Sequence, residues 1–135
     1  MKLSPGRIAT GIFAAALLGA APVSATQIDP NGPFALGEAL PQNPASCDTL
    51  TGWVARAPDH DGRISMAITG ELVASDWDGA LAYLLMCPEN ETRVICVTYE
   101  PKKIVPGQQV MLAGGYAGGD SAQVILDPCL ASIVE

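Results

Sequence analysis

The stretch VMLAGGYAGGDSAQVILDPCL, residues 110–130, decides how the rest of the chain is read. Glycines 114, 115, 118 and 119 crowd six positions, with alternating apolar residues on both sides. A phosphate-cradling loop opens a helix with its backbone N–H groups and carries a Lys or Ser/Thr at a fixed offset. Here no helical pattern follows and no GK[S/T] occurs. Alternation resumes instead at Gln123-Val124-Ile125-Leu126. Gly118-Gly119-Asp120 can supply the positive φ angles of a tight hairpin. AGGDS (117–121) is therefore expected to be the tip between a strand at 109–116 and another at 122–127. Gly114 and Gly115 lie inside the first of these and mark a bulge or a close backbone contact.

Upstream the same period of two recurs. RVICVTYE (93–100) alternates and stops at Pro101, and ALAYLLMC (80–87) is apolar on both faces. From Arg63, residues Ile64, Met66, Ile68, Gly70, Leu72 and Ala74 share one face of a long strand. Gly70 sits where such a strand bends cheaply. SDWDG (75–79) and PENET (88–92) read as turns, and PKKIVPGQ (101–108) as a connection. CDTLTGWVARA (47–57) has helical spacing with Asp48 as N-cap, and Pro58 ends it. Residues 26–46 carry Pro30, Pro33, Pro41 and Pro44 and hold no lasting period. They read as an extended arm, with a short helical turn expected around Ala35–Leu40.

The chain begins MKLSPGRIATGIFAAALLGAAPVSATQ. Lys2 and Arg7 precede an apolar run, and Val23-Ser24-Ala25 supplies small residues at a cleavage spacing. The run is shorter than the ~20 residues of a spanning helix. Residues 1–25 are expected to be a secretory signal, cleaved after Ala25 to leave Thr26 first, with no membrane span afterwards. The formal charge is −7, and loss of Lys2 and Arg7 makes it more acidic. So acidic a chain is repelled by phosphate backbones, which argues against a nucleic-acid partner. All four cysteines, Cys47, Cys87, Cys96 and Cys129, lie in the exported part. In an oxidising compartment, periplasmic or secreted, an even number implies two disulfides. No C-x-x-C occurs, and with one histidine in the chain a zinc site is poorly supported.

Five strands, a bent first strand and a late glycine hairpin follow the order of an OB barrel. The expected fold is all-β: a five-stranded OB-like barrel within a domain at 47–135, preceded by the arm and the short helix. A small β-sandwich is the alternative. VICVTYEPKKIVPGQQVMLAGGYAGGDSAQVILDPCLASIV (94–134) resembles the small exported bacterial OB-like domains related to the tRNA-anti type. Cys96, Pro106-Gly107-Gln108-Gln109-Val110, Gly114 and Leu126-Asp127-Pro128-Cys129 take the places of that pattern. The resemblance spans residues 63–134. It departs in leaving no room for a helix at 101–108 and in lacking a basic binding face, so it implies no nucleic-acid function. It bears on the cysteines. By spacing alone, Cys87 pairs with Cys96 across a hairpin and Cys47 with Cys129. In an OB barrel the third and fifth strands lie side by side, which implies Cys96–Cys129 and leaves Cys47–Cys87. In that reading both Cys96 and Cys129 point outward.

Little else looks chemical. Asp59-His60-Asp61-Gly62 and Asp76-Trp77-Asp78-Gly79 have a D-x-D-G form. Neither copy has the flanking carboxylates of an EF-hand: Ala57 and Ile68 stand there for the first, Ala74 and Leu85 for the second. Ser65, Ser75 and Ser121 lack a nucleophile elbow, and the carboxylates form no marked acid–base pair. No catalytic residue, cofactor or metal site is expected. The candidate interaction loop is Asp76, Trp77 and Asp78, with an exposed aromatic between two acids. The expected function is a non-catalytic binding or protein-interaction module whose protein partner or small ligand is unknown. A structural or assembly subunit docking through the arm is the alternative, and a hydrolase with an unrecognised site the weakest.

Overall fold

The computed structural model of the chain describes residues 28–88, 92–100 and 103–134. The expected signal and its cleavage site, the centre of the PENET turn, and Pro101-Lys102 lie outside them. Seven strands and one helix follow in order: β1 (Phe34–Leu36), β2 (Ala45–Ser46), α1 (Leu50–Ala55), β3 (Ile64–Trp77), β4 (Ala82–Met86), β5 (Arg93–Thr98), β6 (Gln109–Gly119) and β7 (Gln123–Ile133).

β3 to β7 close a five-stranded barrel. Antiparallel pairs join β3 to β4, β4 to β5, β7 to β6 and β6 to β3, and a parallel pair joins β5 to β7. This is the OB-like order, and closure excludes the sandwich. Alternation explains the core: Met66, Ile68, Leu84, Met86, Val94, Val110, Leu112, Val124 and Leu126 are buried inside. Each such side chain contributes roughly 1.5–3 kcal/mol of burial.

Several boundaries differ from the sequence reading. The arm is not a loose segment: β1 pairs with β3 (Phe34↔Met66) and β2 runs parallel to it (Ala45↔Ile68). Phe34 and Ala45 are buried, and instead of the helical turn expected at Ala35–Leu40, Ala35 and Leu36 follow Phe34 into β1 opposite Ser65 and Ile64. The helix is shorter than 47–57, and its N-cap is Thr49, not Asp48. Its Leu50 is buried in the barrel core. Thr51 shares a hydrogen bond with the buried Thr92 hydroxyl, which donates to the Ser121 carbonyl. Those bonds hold helix, β5 start and β6–β7 tip at one end of the barrel. The hairpin tip is also tighter than expected: β6 runs on to Gly119, and only Gly118 of the Gly118-Gly119-Asp120 trio has a positive φ.

The disulfides are Cys47–Cys87 and Cys96–Cys129. The outward orientation expected for Cys96 and Cys129 is wrong, since both are buried. In β5, Val94, Cys96 and Thr98 point in, while Tyr99, past the strand's end, is exposed. In β7 the alternation slips: Asp127 and Pro128 are both exposed, so Cys129 and Ala131 point in after Val124 and Leu126. The slip is a bulge opposite Gly114–Tyr116, with a cis Asp127–Pro128 peptide in it.

Candidate functional site

The Asp76-Trp77-Asp78 trio does not form one loop. β3 extends through Trp77, with Asp76 opposite Tyr83 and Trp77 opposite Ala82. Neighbours along a strand point to opposite faces, so Asp76 shares the outer face with Tyr83 and Trp77 does not. Only Asp78 belongs to the turn. Its carboxylate accepts the backbone N–H groups of Leu81 and Ala80 and the Tyr83 hydroxyl. The Leu81 and Ala80 bonds hold the Asp78 carboxyl below its ordinary range. The Asp78 charge, with smaller contributions from Asp127 and Asp76, pushes the Tyr83 phenol up. Trp77 remains about half exposed (52%).

The D-x-D-G form at 59–62 is a turn as well. His60 Nδ1 accepts the Gly62 N–H at 2.9 Å. Among the described residues no hydrogen bond links His60 to a serine or a carboxylate, and no group of three or more metal-ligating side chains occurs. Ser65 is buried and its hydroxyl donates to the Ala39 carbonyl.

A larger feature was not expected. The parallel pairing of β5 with β7 ends at Cys96↔Leu126. Beyond it, Thr98–Glu100 and Pro128–Leu130 stand on two sides of a cleft of about 410 Å³. Residues 37–40 of the arm and Arg63, at the start of β3, complete the wall. Gly114 and Gly115 line it too. A Cβ on Gly114 would collide with the Pro128 carbonyl oxygen, and one on Gly115 would lie 2.8 Å from that of Asp127. Only glycine lets β6 come this close to the bulge.

The cleft is apolar where it meets solvent. Leu40, Tyr99 and Leu130 are 60%, 66% and 64% exposed around it. The floor holds Ser65, Thr98, Ala113 and Cys129, all buried. Its hydroxyls are committed: Ser65 to the Ala39 carbonyl, and Thr98 to the Glu100 backbone as both donor and acceptor. The charges sit at the rim, where Arg63 meets Glu38 at 3.6 Å in an exposed pair. Such a pair adds at most about 1 kcal/mol. The cleft therefore offers shape and apolar surface, with Glu38, Arg63, Tyr99 and Glu100 as its polar and charged lining. It also falls within the ~300–1,000 Å³ of small-ligand pockets. Sequence reasoning missed it because its walls come from five separate segments with no shared motif. Its one local trace is Leu130, an apolar residue beside a cysteine that points the other way.

Neither the models of known protein families nor the curated proteins compared with the chain match it.

Proposed function

We propose that the chain is a non-catalytic binding module acting outside the cytoplasm, periplasmic or secreted, and that the cleft holds its small ligand or the anchoring side chain of a protein partner. The observation that carries this is the exposure of Leu40, Tyr99 and Leu130 around one concavity. Large apolar side chains gathered in this way mark binding surfaces in water-soluble domains. The two disulfides suit an oxidising compartment. The resemblance to exported OB-like domains of the tRNA-anti type also supports a binding role. The acidity of the chain speaks against nucleic acid as the ligand. No described helix is long and apolar enough to cross a membrane.

The assembly reading is weaker, because β1 and β2 tie the arm to β3 at two places. A hydrolase would need a nucleophile and base in reach of each other, and among the described residues no hydrogen-bonded pair of that kind supports it. Thermal denaturation against a library of small apolar and aromatic compounds tests the proposal. A ligand at a hundredfold its Kd adds about 2.7 kcal/mol, which raises Tm by roughly 10 °C or more in a domain of this size. The rise should vanish in Leu130→Asp. A library without effect on the native protein, or a rise that Leu130→Asp keeps, overturns the assignment to the cleft.

A further inference from the structure

A second surface lies on β3, apart from the cleft. β6 accompanies β3 only from Ser65 to Glu71, and the last contact on that side is the pair of bonds between Leu72 and Gly107-Gln108. From Val73 to Trp77, β3 has β4 on one side and no described strand on the other. The hairpin turn bond runs from the Asp78 N–H to the Leu81 carbonyl. Hydrogen-bonded and non-bonded pairs alternate along an antiparallel ladder. Asp76↔Tyr83 and Ala74↔Leu85 are therefore the bonded pairs, and the N–H and C=O groups of Ser75 and Trp77 point away from β4. Ser75, Asp76 and Trp77 are exposed. This is an open template for strand addition.

We infer that the Val73–Trp77 edge of β3 docks an extended segment of a partner protein in which basic residues alternate with apolar ones. The alternation follows from the pleat. Residues of the added strand on the outer face meet Asp76, which lies opposite Tyr83, with Asp78 beside it accepting the Tyr83 hydroxyl. Residues on the other face meet Ser75 and the exposed Trp77 indole. A second copy of the chain is the wrong occupant. Pairing two such edges sets Asp76 and Asp78 against their own counterparts in a chain of formal charge −7, and like charges across strands are destabilising.

Fluorescence anisotropy with the labelled peptide Ac-TKVKVKT-NH2 tests this on the full exported protein. Saturable, salt-sensitive binding is expected. Methylating the alternate backbone nitrogens that face β3 should weaken it roughly tenfold, the worth of about two hydrogen bonds. Methylating the other set should leave it nearly unchanged. Ser75→Pro removes an edge donor without touching the β4 ladder, since Pro is tolerated at open edges, and should weaken binding by at least several-fold. Leu130→Asp should leave binding intact, which separates this edge from the cleft. The inference is overturned by no saturable binding, by equal effects of the two methylation sets, by loss of binding in Leu130→Asp, or by a dimer of the protein that Ser75→Pro dissolves.

Discussion

The two disulfides each rest on a glycine, yet they belong to different parts of the molecule. Cys96–Cys129 is buried at the seam that closes the barrel, and the Gly114 Cα faces Cys129 across the β6–β7 ladder. Cys47–Cys87 joins the segment before α1 to the end of β4, with Cys47 only half-buried, and it lies over Gly70. Loop length does not distinguish them. Sequence separations of 33 and 40 residues differ by only about 0.2 kcal/mol in closure entropy. What differs is the surroundings. Cys96–Cys129 has both ends in the barrel core, while Cys47–Cys87 runs from buried Cys87 to the half-buried Cys47, with Cys87 at φ 78°, a left-handed conformation that costs a non-glycine residue about 1–2 kcal/mol. Position in the fold, more than the crosslink itself, sets what each pair contributes.

The sharpest way to break this contrast is to fill the two glycine sites. Gly114→Ala puts a methyl against the Pro128 carbonyl and 2.7 Å from the Cys129 Cα, both backbone. Backbone cannot turn aside, so a loss of about 4 kcal/mol or no folded protein is expected, read by urea denaturation. Replacing both Cys96 and Cys129 by Ala should cost about 3–4 kcal/mol, through the crosslink and the cavity left in the core. Replacing Cys47 and Cys87 by Ala should cost about 2–3 kcal/mol, because release of the strained Cys87 offsets part of the loss. Equal costs for the two pairs would refute the idea that burial separates them. At Gly70→Ala the new methyl meets Cys47 Sγ at 2.8 Å and the flexible Met86 side chain at 3.1 Å. Met86 can turn aside, and Cys47 Sγ, though tied to Cys87, is side chain at the half-buried end of its bond, so a smaller loss of about 1–2 kcal/mol is expected in the same assay.

The smallest effect should come from the hairpin tips, which share one turn chemistry. Asp120 accepts the Gln123 and Ala122 N–H groups as Asp78 accepts those of Leu81 and Ala80. Those bonds hold both carboxyls below their ordinary value. A folded pKa below the unfolded one gives stability that is complete above the unfolded value, near 3.8, and is lost as pH falls through the folded value. The double variant Asp78→Asn/Asp120→Asn should therefore lose part of the steep decline of Tm in acid below about pH 4. An unchanged acid limb would show that other carboxylates govern it.

Much of the barrel was legible because burial on one face imposes a period of two, and five segments keep that period over most of their length. The legible signal failed where neighbours across the sheet outweighed local composition. SDWDG has turn-rich residues, but Tyr83 and Ala82 on the opposite strand carry Asp76 and Trp77 into β3. Cys129 was given the wrong face because a bulge at Asp127-Pro128 shifts the alternation by one. Parity along a sequence cannot register an extra residue whose only sign is its partner. The arm was underestimated because its strands are three and two residues long, too short to show a period.

By itself the sequence determined the covalent and electrostatic character of this protein: four cysteines, an acidic surface, alternating strands and glycine-bearing hairpins. These depend on residue identity and on neighbours two positions away, so they survive without a fold. Tertiary structure decided which side of each strand is inside, that the arm belongs to the sheet, and where Leu40, Tyr99 and Leu130 meet around a cleft. It also decided that β3 outruns β6 and leaves an edge with no described strand beside it. A cleft and a free edge are relations between distant segments, and only the closure of the barrel sets them.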